Sequence, residues 1–106
     1  MSRPTGPTGP PATPQVVATI TVGDTPLGVA VSPTGADAGD IYVTNEFGGS
    51  VSVINPSTDT VIDTITVGNL PVGVAVSPTG PDAGDIYITN EGSHTVSVIK
   101  IGRAHV

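Results

Sequence analysis

The residues best suited to chemistry in this chain are carboxylates three apart in short turns, Asp37 with Asp40 and Asp82 with Asp85. Such pairs could approach a hard cation such as Ca²⁺. A loop of the EF type, however, draws oxygens from several alternating positions and a distant Glu, and Asp-Ala-Gly-Asp offers two. These turns therefore read as Asp residues capping their own backbone. His94, in Gly92-Ser93-His94-Thr95, stands alone where the other copy of the segment has Gly49. One loop histidine does not make a metal site, and His105 lies in a terminal stretch of different character. Ser32, Ser52, Ser77 and Ser97 have no His/Asp partner in the pattern, so an activated serine is unsupported. Glu46 and Glu91 recur in equivalent turns and could form an acidic ring that recruits a cationic partner. On this reading no catalytic, cofactor-binding or metal-ligating residue is assigned, and no cofactor is expected.

Nearly all of these residues come in pairs 45 positions apart. Val29-Ala30-Val31-Ser32-Pro33-Thr34-Gly35 returns as Val74-Ala75-Val76-Ser77-Pro78-Thr79-Gly80, and Asp40-Ile41-Tyr42-Val43-Thr44-Asn45-Glu46 returns as Asp85-Ile86-Tyr87-Ile88-Thr89-Asn90-Glu91. Segments 16–55 and 61–100 align without a gap and are identical at 28 of 40 positions. A repeat of this length marks a supersecondary unit that cannot bury its faces alone. A catalytic constellation normally breaks such symmetry; residues that repeat in every unit are usually scaffold.

The elements that carry these residues are short β-branched runs between turn signals. Strands are expected near 16–22, 27–32, 40–46, 50–55, 60–67, 72–77, 85–91 and 95–100. Val51-Ser52-Val53-Ile54 and Val96-Ser97-Val98-Ile99 alternate with period two, as half-exposed strands do. Gly28-Val29-Ala30-Val31 and Gly73-Val74-Ala75-Val76 are continuous and small, which predicts strands covered on both faces. Ser32-Pro33-Thr34-Gly35 and Asn55-Pro56-Ser57-Thr58-Asp59 end strands, because Pro cannot extend a central ladder and Gly permits positive φ. No window carries an i, i+3, i+4, i+7 apolar stripe, so no helix is expected.

Composition narrows the function classes. Nine carboxylates face three Lys/Arg in 106 residues, for a net charge of −6. The three cations are scattered, and nucleic-acid binding needs them clustered; attraction to an anionic membrane fails for the same reason. Cysteine is absent, which removes disulfides and thiolate metal sites. Tyr42, Tyr87 and Phe47 are the only aromatics, so the core must be built from Val, Ile and Ala. Gly and Pro number 14 and 11, consistent with many turns. No apolar run approaches the length of a membrane span, and no signal-peptide h-region follows Met1.

The ends differ from the repeats. Residues 1–15 read as a disordered Pro/Gly-rich linker with two collagen-like triplets, Gly6-Pro7-Thr8 and Gly9-Pro10-Pro11. Two triplets cannot form a triple helix; they are also what a clipped collagen-like stalk would leave. The hexapeptide Ile101-Gly102-Arg103-Ala104-His105-Val106 abandons the repeat and matches one frame of a common short-read sequencing adapter (ATC GGA AGA GCA CAC GTC). It is read as a library-derived tail and set aside from fold reasoning. The chain is accordingly expected to be a piece of a larger protein, with two repeats where about three are needed for stability. Isolated, it is expected to aggregate, to oligomerise or to fold marginally.

Ile41-Tyr42-Val43-Thr44-Asn45 and Ile86-Tyr87-Ile88-Thr89-Asn90 resemble the motif that names the YVTN-type β-propeller repeat family. Gly-Val-Ala-Val-Ser-Pro before the motif, Val-Ser-Val-Ile after it and Thr60-Val61-Ile62-Asp63-Thr64-Ile65-Thr66-Val67-Gly68 at the end of the unit agree with it, over about 16–100. Thr34 and Thr79 stand where the family usually has Asp, and the following loops are longer. The resemblance implies an all-β fold, a β-propeller fragment of two four-stranded antiparallel blades with about eight short strands and no helix. Strand 16–22 matches 61–67, the outermost strand of a blade, and would be either a closing strand or the end of a preceding blade. The resemblance further implies a non-catalytic protein at a bacterial or archaeal surface, in a structural or protein/glycan interaction role. Its partners would be an unknown protein or glycan, adjacent blades, or further copies of itself. The alternative is the scaffold of a propeller enzyme, such as a lactonase-like hydrolase, whose site lies on other blades. Fold alone does not choose between them.

Overall fold

A computed structural model describes residues 13–33, 39–78 and 80–100. Thr34, Asp37, Thr79, His105, the collagen-like triplets and the 101–106 tail lie outside the described residues. The fold is all-β, and its one helical element among the described residues is a 3₁₀ turn, Glu91–Ser93.

Four strands, β1 (Pro26–Val31), β2 (Ile41–Asn45), β3 (Ser50–Asn55) and β4 (Thr60–Thr66), form an antiparallel meander in that order. Three more, β5 (Pro71–Val76), β6 (Ile86–Asn90) and β7 (Thr95–Ile99), repeat it as a second antiparallel sheet. The register recurs at the repeat spacing: Tyr42 lies opposite Val53 as Tyr87 lies opposite Val98. The first strand of each sheet carries a register shift at its glycine, between Pro26 and Val29 and between Pro71 and Val74, where a residue without a side chain eases a bulge.

The two sheets stack face to face. Tyr42, Val51 and Val53 of the first meet Ile86 and Ile88 of the second, flanked by Ile65, Val67, Val74, Val76 and Ile99. Full burial of an aliphatic side chain contributes about 1.5–3 kcal/mol, so this seam between sheets is the main apolar stabilisation available. The core contains one aromatic, Tyr42, as the composition required.

Seven of the eight expected strands form. The eighth, 16–22, does not: it runs without a ladder, and Val16 and Val17 are exposed. Its counterpart β4 is a strand because it pairs with β3; among the described residues no strand pairs with 16–22. The second sheet therefore has three strands where four were expected.

The burial of two strands departs from the reading of their sequences. β1, expected to be covered on both faces, leaves Val29 and Val31 exposed, because among the described residues no second sheet lies on that side of it. β3, expected to be half-exposed, is buried along Ser50–Ile54. One of its faces meets the second sheet, and the other lies beside Thr21, Val22 and Gly23. β7, with the same sequence pattern, is covered on one face only.

Candidate functional site

The repeated motif places a threonine and an asparagine at the end of β2 and of β6, and these side chains join the units. Asn45 Oδ1 accepts the Gly23 N–H at 3.1 Å, while its Nδ2 donates to Ser50 Oγ at 3.1 Å and Ser52 Oγ at 2.9 Å. Asn90 repeats the arrangement, with Gly68 N–H at 3.2 Å, Thr95 Oγ1 at 3.2 Å and Ser97 Oγ at 2.8 Å. Both asparagines are buried, and a buried amide must find such partners or lose about 1–3 kcal/mol. A Cβ on Gly23 or Gly68 would stand 2.7 Å from the asparagine Cγ, so glycine is required for the close approach.

Thr44 Oγ1 accepts the Gly28 N–H at 2.8 Å and donates to the Val72 carbonyl of the other sheet at 3.0 Å. Thr89 Oγ1 accepts the equivalent Gly73 N–H at 2.8 Å. Sequence reasoning missed these roles. The signal was present: identical polar residues recurring in otherwise apolar strands.

The candidates drawn from the sequence are dispersed. Asp85 is nearly buried and forms an ion pair with Lys100 Nζ at 2.6 Å. This hydrogen bond and charge attraction raise the Lys100 pKa above 10.5. The Asp85 N–H closes its turn on the Asp82 carbonyl at 3.0 Å. Asp40 lies in a cleft between the sheets with Asp63 and Lys100; its sequence partner Asp37 lies outside the described residues. Among the described residues no three His, Cys, Asp or Glu side chains gather as metal ligands would.

Ser52 and Ser97 accept hydrogen bonds from the asparagines, while the Ser32 and Ser77 N–H groups close turns on the carbonyls of Asp40 and Asp85, both at 2.9 Å. Glu46 and Glu91 occupy equivalent turns, where their N–H groups donate to the Thr25 and Leu70 carbonyls. His94 is exposed, and its φ of 57° is the left-handed conformation that Gly49 takes in the first unit.

A cavity of about 530 Å³ is an open depression on the second sheet lined by Val72, Thr89, Glu91, His94 and Val96 among others. It lies on the face opposite the stacked seam. No helix among the described residues is long and apolar enough to cross a membrane.

No family model matches the chain, and no curated protein matches it. Its structure is similar to hydrazine synthase of Kuenenia stuttgartiensis, with 28% identity and a TM-score of 0.63 over 85% of this chain and 24% of that one. It is also similar in fold to a functionally unknown protein of Desulfotomaculum acetoxidans, with 24% identity and a TM-score of 0.51 over 74% of this chain and 27% of that one. The chain thus spans about a quarter of the length of these structures.

Proposed function

We propose that the chain is a run of β-propeller repeats of the YVTN type that serves as a non-catalytic module, in a structural or protein/glycan interaction role at a bacterial or archaeal cell surface. One observation carries this reading: the polar side chains that recur in both units are engaged in joints. Asn45 and Asn90 clamp the incoming chain, and Thr44 ties sheet to sheet. A repeat whose recurrent polar groups hold units together is scaffold, and its variable turns are what it presents to a partner.

A second reading, the scaffold of an enzyme, draws on the likeness to hydrazine synthase. It would place the reacting groups on other units, and it conveys no substrate to this chain.

Extending the reading frame at the source locus in both directions distinguishes the two. Further 45-residue units with the same Thr-Asn pair, together with a collagen-like tract or an anchor, are expected. Units in which His, Asp and Glu cluster around a common axis would overturn the non-catalytic reading.

A further inference from the structure

The chain makes one sheet-to-sheet joint and carries both halves of a second. Tyr42, Val51 and Val53 are buried against the second sheet. Their counterparts 45 residues on, Tyr87, Val96 and Val98, are 36%, 57% and 53% exposed. On the other side of the joint, Val74 and Val76 pack against that core, whereas Val29 and Val31 are 65% and 54% exposed. The open face of each sheet thus has the residues that the other sheet buries.

The strand seam is divided in the same way. β4 pairs with β3 and then crosses to the second sheet, where Gly68 docks on Asn90. Segment 16–22 repeats that stretch: Val16, Thr19, Ile20, Thr21 and Val22 match Val61, Thr64, Ile65, Thr66 and Val67. Its exit is formed in the same way, with Gly23 docked on Asn45 and Thr25 in the left-handed conformation that Leu70 also adopts. Only its ladder is missing. The outer edge of β7 meanwhile has no partner strand among the described residues.

We propose that a second copy of this chain docks head-to-tail on the first, setting the open face of its four-stranded sheet on the open face of the three-stranded sheet and laying its residues 16–22 along β7 as a fourth strand. The β3–β4 register, carried over by 45 residues, puts Ile20 of the second copy opposite Val96, Thr19 opposite Ser97, Ala18 opposite Val98 and Val16 opposite Ile99. Thr89 then donates to the Leu27 carbonyl of the second copy, as Thr44 donates to Val72 within the chain. The occupant is identified by the joint the chain already makes, whose two surfaces and strand the new contact repeats. Because the two faces differ, the contact is heterologous and propagates into a ring or an open array. The inference concerns the 106-residue chain by itself and rests on the repeat and the stacked sheets, not on the proposed cell-surface role; where further units of the same kind adjoin the chain, an adjoining unit takes the place of the second copy.

The test uses the purified 106-residue chain and two variants at exposed positions. Val98→Lys blocks the face of the second sheet, and Val31→Lys blocks that of the first; Val29→Lys replaces the latter if its far-UV circular dichroism departs from wild type. Sedimentation velocity is expected to show wild-type assembly that grows with concentration, each variant monomeric alone, and a 1:1 complex when the two are mixed. The mixture retains one intact pair of faces, which the head-to-tail arrangement alone supplies. The chain has no native cysteine, so an Ile20→Cys chain mixed with a Val96→Cys chain is expected to yield the mixed disulfide in preference to either homodimer. A wild-type chain that stays monomeric or without β signal at every concentration overturns the proposal. So does a single lysine variant that still dimerises alone, a mixture that forms no complex, or cysteine chains that give no mixed disulfide.

Discussion

The Gly68 amide lies 3.2 Å from Asn90 Oδ1, a bond from the end of the first sheet to the heart of the second. It fixes the point at which the chain leaves one unit for the next. The same Asn90 holds the β6–β7 turn through Thr95 and Ser97, so one buried amide sets both the inter-unit crossing and the local hairpin. Asn90→Ala is expected to destabilise the chain by about 1–3 kcal/mol, the cost of leaving buried partners unsatisfied. Urea unfolding measures the loss, and amide exchange should show protection falling first at Gly68. Unchanged Gly68 protection would contradict the clamp.

Gly28 and Gly73 occupy the same place in the two units but face different neighbours. A Cβ on Gly28 would lie 2.6 Å from the Val72 carbonyl of the opposite sheet, whereas one on Gly73 meets only the Thr89 side chain of its own sheet, at 2.8 Å. Backbone cannot yield as a side chain can, so Gly28→Ala is expected to cost more than Gly73→Ala, by about 1–3 kcal/mol in the overpacking range. The comparison belongs in the Val98→Lys background, which is expected to hold the chain monomeric, with urea midpoints as the readout. Equal costs would remove the assigned close approach.

His94 holds φ at 57° where the first unit uses Gly49 at 63°. A left-handed conformation costs a residue with a Cβ about 1–2 kcal/mol, partly offset by the greater freedom that glycine loses on folding. His94→Gly is therefore expected to stabilise the chain by roughly 0.5–1 kcal/mol, seen as a higher urea midpoint at constant slope. A lower midpoint would mean that the imidazole makes a contact worth more than the backbone strain.

The Lys100–Asp85 pair sets a pH dependence of definite sign. The hydrogen bond and charge of Asp85 raise the Lys100 pKa above 10.5, so folding favours the protonated amine. The stabilisation is fully present below pH 10.5 and is lost as pH rises through the higher folded value. The difference in melting temperature between wild type and Lys100→Gln is expected to be constant through neutral pH and to close only in that alkaline range. Closure at neutral pH would rule out the pairing; the amine is exposed, so the difference itself is small.

Seven strands, their turns and the repeat were legible in the sequence, because alternation, β-branching and Pro/Gly punctuation act over a few residues. The Thr-Asn pair was legible as a motif, while its work was not, since Thr44 finds its acceptor at Val72 and Asn45 its donor at Gly23, both distant in the chain. Side-chain alternation says which residues share a face; it does not say what covers that face. Val51 and Val96 are the same residue in the same local pattern, yet one is fully buried and the other exposed, because a second sheet lies over the first alone. Likewise 16–22 and 61–67 are near copies, and β4 is a strand because β3 is there to pair with it. A strand is a property of two edges and a core is a property of two faces. The sequence by itself determined each edge and face, and the tertiary structure alone decided which of them met.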